Sequence, residues 1–157
     1  MFRTLSRSVS IATPRLARGY AEASASNVLK LSFALPDNAL YKVAEVTQVN
    51  LPTTAGNIGV LANHVPTIEE LTPGVIEVIQ GSETKQFFVP GGFASVSPNS
   101  ELNINAIDAY PLEDFSASEA KNLLSEAQKN ASSSDEAVAA QAKIEVDVLE
   151  ALVAVAK

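Results

Sequence analysis

Histidine occurs once, at His64, and the carboxylates nearest to it in the chain are Glu69 and Glu70. An imidazole beside a carboxylate is the minimum for general-base chemistry on a serine or a water. No G-x-S-x-G elbow accompanies it, so a packed or interface histidine is the simpler reading. A single histidine also falls short of the several ligands that a metal site gathers. Cysteine is absent, which removes thiol nucleophiles, thiolate ligands and disulfides together. Two glycine clusters remain as phosphate cradles. Gly56-Asn-Ile-Gly59 lacks the G-K-[ST] ending that holds phosphates, and Gly91-Gly92 after Pro90 reads as a strand turn. No catalytic residue, metal or cofactor is therefore expected.

Charge is divided sharply along the 157 residues. Arg3, Arg7, Arg15 and Arg18 are the only arginines, and no acid precedes Glu22. Beyond residue 20, seven lysines face eighteen acidic residues, a net charge of −11. Such a body is a poor partner for nucleic acid, whose binding needs phosphate neutralisation. It suits a basic protein partner.

The basic end reads as an address. Placed on a helix, Phe2, Leu5, Val9, Ala12 and Leu16 share one face and the four arginines lie opposite, although Pro14 would kink such a helix. Arginine- and serine-rich, acid-free and amphipathic, residues 1–20 have the character of a mitochondrial transit peptide. Arg18 stands two residues before Tyr20, so cleavage is expected after Tyr20, with the mature chain starting at Ala21. No later apolar run approaches the ~18–20 residues of a membrane span.

The elements that would carry these residues fall into two groups. Residues 21–112 carry β signals: Leu29, Leu31, Phe33 and Leu35 alternate with polar neighbours, as do Leu102, Ile104 and Ala106. Short runs at 41–49, 75–80, 84–89 and 93–97 lie between them, with turns at Pro36-Asp37-Asn38, Gly81-Ser82 and Pro98-Asn99. An antiparallel β-sandwich or flattened barrel is expected. Residues 113–157 change period. Ser116 with Glu119, and Ser133 with Glu136, offer capping boxes for two helices joined by the break at 130–134. An antiparallel α-helical hairpin should follow, making the whole an α+β protein. Its second helix is apolar around much of its girth, from Ala137, Ile144 and Val148 to Val146, Leu149 and Val153. One apolar face is thus left for the β domain or another subunit.

The run Gly56-Asn-Ile-Gly-Val-Leu-Ala-Asn-His64-Val-Pro66, with Pro73-Gly74 and then Phe87-Phe-Val-Pro-Gly91-Gly92-Phe93-Ala94, resembles one family closely. It is similar to the ε subunits of bacterial and chloroplast F-type ATP synthases and their mitochondrial counterparts, over about residues 27–157. On the residues alone, Gly56, Gly59, Pro66, Pro73, Gly74, Gly91 and Gly92 read as structural turns that shape a loop at about 53–66. The resemblance implies a non-catalytic central-stalk subunit that links the c-ring to γ, so that proton-driven rotation is coupled to ATP synthesis on the matrix side of the inner membrane. It marks Asn57, Ile58, Leu61 and His64 as rotor-interface candidates facing the c-ring and γ. Leu149 and Val153 are candidates on the last helix, toward a small mitochondrial ε subunit. Some bacterial members bind ATP in the hairpin through an acid and an arginine, and residues 21–157 contain no arginine. That counts against the alternative, a free-standing β-sandwich module that responds to a nucleotide.

Overall fold

The computed structural model describes residues 28–156. The expected transit segment 1–20 and the expected cleavage after Tyr20 lie outside the described residues.

The first alternating run forms β1 (Leu29–Ala34), and its inward Leu29, Leu31 and Phe33 are fully buried. The turn after it is closed by Leu35 N–H donating to the Asn38 carbonyl at 2.7 Å. Next come β2 (Ala39–Val46), β3 (Gln48–Thr53) and β4 (Gly56–Leu61). Here the structure corrects the expected loop at 53–66, because most of it is a hairpin. β3 and β4 pair in register from Gln48↔Leu61 to Thr53↔Gly56 around the two-residue turn Thr54-Ala55. Two glycines and an asparagine weaken the strand signal of β4, yet Val60 points inward and is fully buried opposite Val49. β5 (Thr67–Leu71) follows, a strand that the hydropathy pattern does not announce.

The remaining strands are β6 (Gly74–Gln80), β7 (Glu83–Val89), β8 (Gly92–Ser97), β9 (Glu101–Ala106) and the short β10 (Tyr110–Pro111). All join one curled sheet in the order β10-β7-β6-β3-β5-β8-β9-β1-β2, with β4 hanging from β3. The sheet is antiparallel except where β1 runs parallel to β9, Lys30 opposite Glu101 through Ala34 opposite Asn105. Curling lets a single sheet enclose its own core. Within it, Phe33 meets Phe87 edge-on at 5.9 Å between ring centroids, and Tyr41 meets the same ring at 6.2 Å.

The glycines divide by role. Gly56 opens β4 at φ 113°, a conformation closed to most side chains. Gly92 has φ 148°, and a Cβ there would collide with the Asn105 carbonyl and lie 2.7 Å from Ala106 Cα. Gly59, by contrast, is no turn residue. It lies inside β4, where an added Cβ would sit 3.1 Å from Gln48 Nε2 and 3.2 Å from Asn50 Oδ1.

A 3-10 turn (Leu112–Asp114) leads to α1 (Ala117–Asn130) and α2 (Glu136–Val155). The two expected capping boxes are not formed. Ser116 occupies the N-cap of α1, but its hydroxyl lies 2.9 Å from that of Ser118 instead of capping a backbone N–H. Asp135, not Ser133, caps α2, accepting from the N–H groups of Ala137 at 3.0 Å and Val138 at 3.4 Å. The hairpin lies on the outer face of β6 and β7. Phe88 and Leu152 are buried there, with Val75, Leu112, Phe115, Val148 and Leu149 packed around them. Phe115 meets Phe88 edge-on at 5.6 Å.

Candidate functional site

The interface candidates occupy different parts of the surface. Asn57 and Leu61 point out from β4 and are exposed, whereas Ile58 turns inward and packs against the core. His64 follows in a turn closed by its own N–H donating to the Leu61 carbonyl at 3.2 Å. Its ring Nδ1 lies 2.8 Å from the Val65 carbonyl oxygen. A carbonyl only accepts, so Nδ1 carries the proton in this contact. Of the two carboxylates nearest to it in the chain, Glu69 and Glu70, the first accepts from the Thr67 hydroxyl at 2.8 Å.

The turn bearing His64 is anchored from below. Asn63 has φ 62°, and its backbone N–H donates to the Ser100 hydroxyl at 2.9 Å. Ser100 is buried, in the turn between β8 and β9. Sequence reasoning gave neither residue a role. Asparagine in a left-handed turn is a readable signal, but its serine partner 37 positions away is not.

A second feature was also missed. Ile68 on β5 and Phe93 on β8 are exposed by 78% and 58%, fractions that set them apart from a core-facing strand residue. The register places Glu70 opposite Phe93 and Ile68 opposite Ser95, so Ile68 and Phe93 are diagonal neighbours on the outer face. Phe93 is opposite Asn105 on β9, and the exposed Ile107 lies just beyond. Along β8 Ala94 and Val96 face the core and Ser95 faces out, so Phe93 is the one residue that breaks the usual sense of burial. Large apolar side chains grouped outside a sheet mark a docking surface.

The third surface is on the helical hairpin. Leu149 and Val153, the interface candidates of α2, are half-buried against the cluster beneath it, and Leu149 also lines a groove between the two helices. Leu123 of α1 and Val138 and Ile144 of α2 are exposed, and Leu123 and Ile144 stand on either side of that groove, which holds about 560 Å³. Glu126 and Glu145 also line it, an acidic surround that disfavours nucleotide phosphates and suits a basic, apolar helix. Among the described residues, no group of acids or histidine is placed to hold a metal, and no helix is long and apolar enough to cross a membrane.

A curled β domain with exposed apolar patches, followed by a docked helical hairpin, is the class of small two-part module that the fold defines. Comparison with known proteins gives the family. The ATP synthase Delta/Epsilon chain beta-sandwich domain matches residues 28–111, and the C-terminal domain of the fungal epsilon subunit of F1F0-ATP synthase matches residues 115–154. The chain belongs to the delta/epsilon family of ATP synthase subunits. It is 61% identical over 141 residues to the mitochondrial ATP synthase subunit delta of Saccharomyces cerevisiae, covering 89% of this chain and 88% of that one. The Yarrowia lipolytica protein of the same name is 55% identical, covering 99% of this chain and 97% of its own. A chain in the cryo-EM structure of the Euglena gracilis mitochondrial ATP synthase OSCP/F1/c-ring superposes with a TM-score of 0.80 at 32% identity, covering 86% of this chain and 85% of that one.

Proposed function

We propose that this chain is a non-catalytic rotor subunit of mitochondrial ATP synthase, seated in the central stalk on the matrix side of the inner membrane. It joins the c-ring to γ and lets proton-driven rotation reach the catalytic hexamer without slipping. The observation that carries this reading is the outward row of Ile68, Phe93 and Ile107 on a protein of this family. A joint that transmits torque needs complementary area held firmly, and this chain offers surfaces in place of chemistry. Burying each of those side chains contributes about 1–2 kcal/mol, enough together for a durable joint.

The three surfaces suggest three neighbours. The outer face with Ile68 and Phe93 suits γ. The β3–β4 end, with Asn57, Leu61 and His64, suits the c-ring and the adjoining part of γ. The groove between Leu123 and Ile144 suits the small mitochondrial ε subunit. The precursor is imported through residues 1–20 and cut after Tyr20.

Purification from mitochondria tests the reading. The mature chain, starting at Ala21 by mass, should co-migrate with the catalytic hexamer and γ. Migration apart from them overturns the proposal.

A further inference from the structure

Among the described residues the sheet has more than one open edge, and the edges are not alike. β2, the last strand in the order, carries Lys42 and Glu45, and Val43 at φ 53° breaks its regularity. The part of β7 beyond β10 carries Glu83 and Lys85. Charge and irregularity are the usual protections of a free edge. β4 has neither: Gly56-Asn-Ile-Gly-Val-Leu61 is uncharged, free of proline, and in unbroken register with β3 on its one paired side.

The register says which groups face out. Thr53 and Gly56 close a two-residue hairpin, so they form a hydrogen-bonded pair, and the ladder alternates from there. Gly56, Ile58 and Val60 therefore bond β3, while Asn57 and Gly59 turn their N–H and C=O groups to the open side. Pro52 agrees with this assignment. It stands opposite Asn57 with no N–H to give, and its carbonyl accepts from Thr72 N–H, away from β4.

We infer that the open edge of β4 receives an extended segment of another polypeptide of the complex, which adds a strand against the backbone of Asn57 and Gly59. The inference rests on the reading of this chain as a docked stalk subunit and supplies the manner of docking. Backbone pairing fixes register as well as distance, which side-chain contacts alone do not. About five residues of an extended segment would span the edge. The segment carries basic flanks, which suit a mature chain of net charge −11.

Residue-resolved hydrogen exchange on the full chain, alone and in the purified complex, tests it. Ile58 and Val60 amides should exchange slowly in both. Asn57 and Gly59 amides should exchange fast alone and slow by about 100-fold or more in the complex. Fast exchange of both in a complex that retains the chain overturns the inference and leaves the docking reading intact. A chain that does not co-purify overturns both. Protection in the isolated chain, with the mass of a dimer, would name a second copy as the occupant and overturn the inference too. Gly59→Pro removes an outward N–H without touching the β3 ladder, so it should weaken retention in the complex about tenfold more than Gly59→Ala, which adds the same Cβ beside Gln48 and Asn50 but keeps the N–H. Equal retention of the two variants is the contrary result.

Discussion

Ser100 and Asn63 hold each other in left-handed backbone: φ is 57° at Ser100 and 62° at Asn63, and the Asn63 N–H reaches the Ser100 hydroxyl at 2.9 Å. This bond ties the His64 turn to the far turn between β8 and β9. Ser100→Ala leaves the Asn63 N–H without its partner and should cost about 1 kcal/mol, with faster amide exchange at residues 62–66. Urea unfolding measures the first effect, and an unchanged midpoint would contradict it.

Gly92→Ala should be far more damaging. The added Cβ meets backbone, at Asn105 and Ala106, and the φ of 148° is hostile to any side chain. A loss of about 3 kcal/mol or more is expected. Gly81→Ala is the control, because its φ is 61° but no atom lies within 4 Å, and it should cost about 1 kcal/mol. Thermal melts of the two variants should differ clearly.

Phe93→Ser separates docking from folding. Its ring is largely outside the core, so the isolated chain should melt within about 0.5 kcal/mol of the wild type. Retention in the purified synthase should fall about tenfold or more. Equal retention would count against the outer face as a joint.

Asp135→Ala should lower stability by about 1 kcal/mol, because two N–H groups at the start of α2 lose their acceptor. Ser133→Ala removes only an acceptor for the Asp135 N–H, at 3.2 Å, and should cost less. Circular dichroism during denaturation ranks the two.

Tyr110 offers a pH test. Its hydroxyl donates to Asp108 Oδ2 at 2.6 Å, and that bond, with the carboxylate's charge, raises the phenol above its ordinary 10.0. Burial raises Tyr41 as well, against the opposing pull of Lys85. A phenol whose folded pKa is raised favours folding below pH 10.0, and that contribution is lost as pH climbs through the folded value. Ultraviolet titration of the chain from Ala21 should place tyrosinate formation above 10.0, and Asp108→Asn should bring Tyr110 back toward it.

Legibility followed the strength of local pattern. β1 and β9 were plain because Leu29, Leu31, Phe33, Leu102 and Ile104 alternate with polar residues and face one core. β4 was hidden because glycine and asparagine carry little strand signal, and only pairing with β3 makes it a strand. β5 was hidden for another reason: Ile68 faces outward and Glu69 inward, against the usual sense of burial. The parallel β1–β9 pair left no trace at all, because register between distant strands is set in three dimensions. On the hairpin the apolar girth of α2 was legible, but not which part the sheet would cover. That choice fell to Val75 and Phe88, some fifty residues or more away in the chain.

The position of β1 has a consequence for how the protein comes to exist. It lies inside the sheet, flanked by β2 and by β9, whose partner residues stand about seventy positions later. A chain delivered amino-terminus first must hold one side of β1 vacant until nearly two-thirds of its length has arrived. Non-local pairing of that kind defers closure of the core. Lateness of this sort makes the seam between β1 and β9 a closing step, so the barrel-like curl is locked by the two ends of the β domain meeting.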